Sequence, residues 1–526
     1  MNDNLLLAPA ITVRNGACAR RLSLPGVLAA LGRDEVEDFS ALRPHQRHSW
    51  HAFLCQLAVL ALEEAGRKIG DDQPDEAAWR KLLRGLTPGF PGDEPWRLVV
   101  EDLAKPAFLQ PPVPEGSLKE FKVKKEVDDA SPFNIDIRVT AKEHGEKDGS
   151  PAMLDVESWL LGLLLLQTFS GFLGQGNYGI ARQNGGFAAR HGVSLEISNR
   201  PGPNWLRDCR ILLNSLDDLR RSADYLGSGG LRLLWLEPWR GTADESLPLR
   251  RLHPLFVEIC RRIRLIDAGD GTIQYRTVGT KASRVAAKEY NGAVGDPWLP
   301  LKREAGSVKA YNSRPGYDVA WKVLFDDSEY VPSLLQRFHP GDPEEGVSVV
   351  FRVFLRTQGG SDGYHERVVP VQKPGMVSFF RKHRDRAAET AKAMADAVKM
   401  ARNKVLKPAL LQLMQASRDD LEFKQKETNE WAWRGSGRLE ETVDTEFFPH
   451  LWRCLDARGE EPLREEHLAS WGVFLAHEAR AAFRAACDAL PTVSALRHRA
   501  RAKAENMLEA CIRKHLVTRS DNDSAN

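Results

Sequence analysis

The chain has 526 residues, with 74 Lys and Arg against 72 Asp and Glu and a formal net charge of +2. That length accommodates two or three domains and a substantial core. The near-neutral balance excludes a uniformly basic nucleic-acid binder, so any surface for a polyanion must be local.

In chain order, "NLLLAPAITV" alternates weakly and predicts a strand, and His48 to Gly66 predicts a buried helix stopped by glycine. "DEAAWRKLLRGL" predicts a shorter helix. A polar, lysine-rich stretch from Phe121 predicts a long loop around Ile135 to Asp148. An apolar helix follows from about Val156 to Leu173, and then the glycine-rich "LGQGNYGIARQNGGF". "HGVSLEIS" and "LRLLWLEPW" predict strands, whereas "PLFVEICRRIRLI" predicts a helix. "EYNGAVGDPWLPLKREAGSVKAYN" reads as a turn, an extended segment and a hairpin. "EGVSVVFRVFLRTQGGSDGYHERVVPV" predicts two strands around a glycine-rich tip. After Pro374 glycine becomes sparse, and apolar residues recur at three and four. Helical segments are predicted at about Met376–Met414, Asp444–Asp456, Leu463–Leu490 and Val493–Leu516. The fold class is therefore α+β: a large mixed α/β domain (1–375), a C-terminal four-helix bundle (376–516) and a disordered tail (517–526).

Gly174, Gly176 and Gly179 spell G-x-G-x-x-G, the turn of a dinucleotide site. That turn needs a strand before it and a helix after it. Here a long leucine-rich segment without a β-branched pair precedes it, and Gly185-Gly186 cuts short any helix after it. A flexible connection is one alternative. The other is a backbone that approaches something closely, with Gln175, Asn177, Tyr178, Gln183 and Asn184 able to reach phosphates or base edges. Arg381 to Lys407 carries nine Lys and Arg against three acids, and "RHRARAK" lies near the last helix. These runs read either as solvated faces or as a phosphate-tracking surface. No H-E-x-x-H, G-x-S-x-G or Walker A sequence occurs, so no catalytic set is predicted. His45, His48 and His51 share one helical spacing, but only Cys55 accompanies them nearby, so histidines at a surface or interface are expected rather than a metal site. The seven cysteines contain no C-x-x-C pair and suit reduced thiols in a cytoplasm. The most apolar stretch, Trp159 to Phe169, is about half the length needed to span a bilayer. The N-terminus lacks a basic signal-peptide region. A soluble cytoplasmic protein is expected.

The order of "RLSLPGVLAAL", "VTAKEH", "LLLLQTFSGFLGQGNYGIARQNGGF", "LRLLWLEPW", "NGAVGDPWLPL", "GYHERVVPV" and a helical C-terminus resembles the large subunit of the type I-E CRISPR Cascade complex, the CasA family. The resemblance covers most of the chain and is most specific over Leu163–Phe187. It implies a non-catalytic, cofactor-free subunit of an RNA-guided surveillance complex, with guide RNA, target duplex DNA, other Cascade subunits and a recruited or fused nuclease as partners. The protein would read a short adjacent motif from the minor groove and help open the duplex, while base pairing reads the rest. By position, the motif readers resemble Gly176, Asn177, Tyr178 and Gly179, with Lys302 and then Lys309. The duplex wedge resembles Gln358, Gly359, Gly360, Ser361 and Asp362. The loop that meets the guide RNA and the complex resembles Arg138, Thr140, Lys142 and His144. Phosphate contacts are expected from Arg381, Lys382, Arg384, Lys399, Arg402 and Lys404. Some relatives carry a cysteine-rich knuckle where this chain has "DAGDGTIQYRT", so no metal is implied. A nucleotide-cofactor enzyme using Gly174–Gly179 and a purely structural scaffold are the competing readings.

Overall fold

The computed structural model describes residues 3–70, 72–114, 116, 118–121, 131–136, 156–171, 178–184, 189–227, 229–269, 272–307, 309–310, 315–357, 360–372, 379, 381–415, 422, 426–456, 460–489 and 497–517. They form two compact units. The first comprises Met1–Pro315 and Glu329–Pro370, the second Gly316–Ser328 and Val371–Asn526.

The first unit is mixed α+β. The hairpin β1 (Ile11–Asn15) and β2 (Cys18–Leu22) leads into α1 (Leu24–Gly32), where Ser23 caps the helix by accepting the Gly26 N–H at 3.1 Å. Helix α2 (Pro44–Glu64) starts four residues earlier than its apolar run suggests, because Pro44 suits the first turn and the Gln46 side chain accepts the Arg43 N–H. Helix α3 (Glu76–Gly85) is capped by Asp75. Helix α4 (Val156–Phe169) is leucine-rich on every side and almost entirely buried. Then come β3 (Ala189–Arg190), β4 (Gly192–Glu196), α5 (Pro201–Asn214) and β5 (Leu231–Leu233).

The segment predicted to be helical at "PLFVEICRRIRLI" is instead two strands, β6 (Leu252–Val257) and β7 (Arg262–Asp267). Strand β6 pairs parallel with β5, and β7 pairs antiparallel with β8 (Ile273–Val278). The three- and four-residue spacing of apolar and basic residues imitates a helix. The deciding pattern is the alternation Arg262-Ile263-Arg264-Leu265, with the arginines held inside the fold. Arg264 is fully buried and donates to the carbonyls of Lys105 and Val100. "LRLLWLEPW" contributes only β5 before turning into a short 3₁₀ segment at Leu234–Leu236.

Further on, β9 (Leu301–Lys302) lies between β10 (Gly306–Ser307) and β12 (Tyr330–Val331), and β11 (Lys309–Ala310) pairs with β3. The long hairpin β13 (Val347–Thr357) and β14 (Gly360–Val371) joins β4 in a sheet of order β14-β13-β4. The core contains fully buried Trp50, Trp79, Trp96, Trp159, Trp205, Trp235 and Trp298, several meeting edge to face, as aromatic quadrupoles prefer.

The second unit is helical. Its first element, α6 (Tyr317–Phe325), lies in a stretch that composition groups with the first domain. The Tyr317 N–H donates to Asp444 at 2.7 Å, and its ring lies 4.9 Å from that of Phe447. Helix α7 (Arg381–Met400) continues through a π segment at Ala401–Leu406 into α8 (Lys407–Met414), and the register change falls just before Pro408, which cannot donate an N–H. Then follow α9 (Lys426–Gly435), α10 (Gly437–Asp456), α11 (Glu461–Ala489) and α12 (Arg497–His515). Periodicity misses α9 and the start of α10, because α9 buries little and leaves Trp431 and Trp433 exposed. Among the described residues no helix is long and apolar enough to cross a membrane.

Candidate nucleic-acid interface

The glycine segment emerges from α4, whose far end is tied down from inside. Buried Gln167 donates to the carbonyls of Leu109 and Arg261 and accepts the N–H groups of Cys260 and Arg261, all within 3.0 Å. Gly174, Gly176 and Asn177 lie outside the described residues. Tyr178 is 41% exposed and Ile180 39% exposed, while Gly179 between them is buried. The Tyr178 N–H donates to Thr280 Oγ1 at 3.2 Å. The Gly179 carbonyl accepts from Arg261 Nη1 at 2.7 Å, and a Cβ at Gly179 would lie 1.9 Å from the Cys260 carbonyl oxygen. Two backbones therefore approach so closely that only glycine fits, and the side chains on either side are turned outward.

Beyond Ile180 the polar residues turn inward. Gln183 and Asn184, which the sequence offered as possible contacts to nucleic acid, are buried, and Asn184 donates to the Phe169 carbonyl. Arg182 is buried as well. Its N–H reaches both oxygens of Glu258 at 3.0 Å, and its guanidinium donates to the carbonyls of Pro254 and Phe256 while lying over the Phe256 ring. Asp296 stands 4.0 Å from Arg182 Nε. Burial lifts the Glu258 carboxyl to about 7, against the pull of Arg182, and lowers Arg190 to about 10. Burial alone pushes His191 down to about 4.

This buried charged cluster roots several elements that are far apart in the sequence. Arg182 belongs to the glycine segment, and Asp296 begins the "DPWLPLK" stretch that leads into β9. β3 pairs with β11, so the Lys309 backbone lies opposite Arg190. The Val193 N–H in β4 donates to the Trp298 carbonyl at 2.7 Å. The hairpin joins the same assembly, since Val353 and Phe354 form a small core with Leu165 and Phe169 of α4, and Tyr364 packs on it. Phe169 meets Phe354 edge to face. The hairpin strands run closer to the tip than the sequence suggested, ending at Thr357 and restarting at Gly360. Gln358 and Gly359 lie outside the described residues. Gly360, Ser361 and Asp362 are placed only as the start of β14.

Lys302 stands apart from this cluster. It pairs with Glu329 Oε1 at 2.5 Å and sits 5.9 Å from the Tyr330 ring, and Glu329 holds its ammonium above the ordinary value. The pair is partly open to solvent, so it can exchange for another anion at modest cost. The side chain of Lys309 is not among those described.

Arg138, Thr140, Lys142 and His144 lie outside the described residues, but the start of their loop is fixed. Buried His45 reaches both oxygens of Asp136 at 2.9 and 3.0 Å, Gln46 donates to the same carboxylate, and Arg43 covers Phe133. His45 and His48 are thus internal, not the surface histidines expected. The His48 ring meets Trp298 edge-on, and a Cβ at Gly192 would come 3.0 Å from its Nε2.

On α7 of the second unit the expected phosphate contacts divide. Arg384 is buried and holds both oxygens of Asp327, at 2.8 and 2.6 Å, so this cation supports the fold rather than facing a phosphate. Lys399 pairs with Asp396 on the same face but is largely exposed. Arg402 donates to Glu440 at 3.0 Å and lies over Trp433. Lys404 is exposed. Arg381 and Lys382 begin α7, and their side chains are not described. Sequence spacing alone could not separate Arg384 from its neighbours, because Asp327 is 57 residues away.

A dinucleotide turn follows a strand, and the described residues that precede this segment, Val156–Phe169, form a helix.

No family sequence model and no curated sequence matches the chain. Solved structures do. Cse1 from Acidimicrobium ferrooxidans superposes with a TM-score of 0.64 at 13% identity, covering 98% of this chain and 99% of that one. CasA from Thermus thermophilus gives 0.61 at 15% identity, covering 97% and 99%. A chain of a CRISPR RNA-guided surveillance complex gives 0.59 at 14% identity, covering 96% and 99%. The chain has the CasA/Cse1 fold along nearly its whole length.

Proposed function

We propose that the protein is the large subunit of an RNA-guided CRISPR surveillance complex, acting in antiviral defence in the cytoplasm without catalysing a reaction itself. The observation that carries this reading is end-to-end coverage. The fold likeness accounts for 97% of this chain and 99% of the Thermus CasA, so nearly every residue present is explained by that one fold.

In this reading the exposed edge around Tyr178, with Gly176 and Asn177, meets the minor groove beside the target. The anchoring of Gly179 supports it, since a backbone fixed from behind loses little freedom on binding. Lys302 leaves Glu329 to contact the groove or a phosphate, with Lys309 as a second cation. The hairpin end at Gln358, Gly359, Gly360, Ser361 and Asp362 enters between strands as the duplex opens. Arg138, Thr140, Lys142 and His144 contact the guide RNA and neighbouring subunits. Lys399, Arg402 and Lys404 track displaced phosphates, and a nuclease recruited to or fused within the complex then cleaves.

The test is isolation of the complex through a tag on this chain. A guide RNA of uniform length should co-purify, and the particle should bind duplex matching that guide. Recovery of the chain free of RNA from a host expressing the whole locus would refute the reading.

A further inference from the structure

Three donor groups of different chemistry converge between α2 and α5. His51 and Cys55 are four residues apart and share one face of α2, and Asp208 comes from α5 opposite. His51 Nε2 lies 2.8 Å from Asp208 Oδ2 and 3.5 Å from Cys55 Sγ, and the three donor atoms all fall within 4.8 Å of one another. The sequence offers Cys55 as a neighbour of His51 but hides the carboxylate, because Asp208 is 157 residues from His51.

The cluster has features that an ordinary His–Asp pair does not need. Asp208 is buried, and its other oxygen is held by Arg207 Nη1 at 3.0 Å. Arg207 is fixed in turn by two bonds to Asp342, at 2.8 and 2.9 Å. The carboxylate is thus oriented from behind, as outer groups orient metal ligands. A second buried thiol, Cys209, is within hydrogen-bonding reach of Cys55. A cavity of about 190 Å³ opens beside the cluster, with His51 and Asp208 in its wall. His51 is about a quarter exposed toward solvent, while Cys55 is buried.

We propose that His51, Cys55 and Asp208 form a binding site for a thiophilic divalent cation of the zinc class, with the fourth position open to the cavity. Imidazole, thiolate and carboxylate are the donors such ions accept, and two anionic ligands neutralise the dication. Bonds of about 2.0–2.3 Å put tetrahedral donors about 3.3–3.8 Å apart, so His51 and Asp208 separate by roughly half an ångström as the ion enters. The ion would staple α2 to α5. Those helices carry the His45 anchor of the guide-facing loop and the Arg207 clamp beside β4.

The experiment uses the full chain, stripped with chelator and titrated with cobalt(II). One equivalent should give the visible bands of tetrahedral cobalt and a thiolate charge-transfer band, raise the melting temperature and be displaced by zinc. Cys55→Ser should remove the charge-transfer band, and His51→Gln should weaken cobalt binding by roughly a hundredfold. Cys487→Ser, in the other unit, should change neither. Wild-type protein that stays folded and gives no charge-transfer band overturns the proposal, as does a band that persists in Cys55→Ser. If Cys55→Ser fails to fold, X-ray absorption of the zinc-loaded wild type decides: sulfur with nitrogen and oxygen neighbours supports the site, and oxygen alone refutes it.

Discussion

In sequence, the glycine segment of the first unit resembles the basic helix of the second unit, each offering polar and cationic side chains to a partner. In the folded chain they use their cations in opposite ways. In the first unit, the guanidinium groups of Arg182, Arg261 and Arg264 donate chiefly to backbone carbonyls, those of Pro254, Phe256, Gly171, Gly179, Lys105 and Val100. A buried carbonyl has no substitute for that donor, so these cations fix backbone and cannot be lent to a ligand. Along α7 and its continuation the cations meet carboxylates, Asp396 for Lys399 and Glu440 for Arg402, at least partly in contact with water. Such pairs exchange readily. Arg384, buried on Asp327, is the exception, and it behaves like the first group. The first region supplies shape, and the second supplies charge that can be redirected.

The most severe way to break this contrast is Arg182→Met. It leaves buried Glu258 and Asp296 with Arg190 as their remaining cation and should cost about 3–5 kcal/mol in denaturant unfolding. Gly179→Ala should cost about 3 kcal/mol, because the added carbon meets a backbone oxygen that cannot step aside. An alanine that melts like wild type would show that the segment is not anchored as described.

Acid acts on the first region in two opposing directions: Glu258, lifted to about 7, gains stability as the pH falls, whereas buried neutral His191 loses it. His191 is buried and titrates near 4, below the 6.5 of an unfolded chain. As the pH falls, the unfolded chain takes up this proton first, so the stability from neutral His191 is complete above about 6.5 and lost toward 4. The loss amounts to about 3 kcal/mol. His191→Gln should remove the His191 contribution, leaving the variant less destabilised by acid than the wild type in urea titrations at stepped pH. Equal slopes would remove His191 from the account.

Smaller effects sharpen the functional half. Lys302→Ala should weaken target-duplex binding by about 1–3 kcal/mol with little change in melting temperature, since its pair with Glu329 is partly open to solvent. Glu329→Gln should leave binding equal or tighter. Finally, Lys404→Ala should reduce the salt slope of duplex binding by about one, whereas Arg384→Ala should lower stability and leave the slope unchanged. The reverse pattern would mean that exposure does not sort the cations.

The features legible in the sequence were local. Helix α2, helix α3, the long hairpin and most C-terminal helices follow from periodicity and caps. Strands β6 and β7 imitate a helix because their arginines are buried, which periodicity treats as a polar face. The roles of His45, His51 and Arg384 depend on Asp136, Asp208 and Asp327, and no spacing rule finds partners so far along the chain. The leucine run before the glycine pattern is a helix, as its length suggests. The true constraint on that pattern, the Cys260 carbonyl, was invisible. The resemblance supplied functional positions that composition could not, although Gly176, Asn177, Gln358, Gly359 and the Arg138–His144 loop lie outside the described residues.

The most direct test is binding of the guide-loaded complex to matched duplexes whose flanking bases are randomised, with and without this chain. With the chain present, a restricted set of flanks should bind at least tenfold more tightly, about 1.4 kcal/mol. Tyr178→Ala and Lys302→Ala should narrow that gap. Equal binding to every flank, or a preference that persists without the chain, would contradict its proposed role as the reader of the adjacent motif.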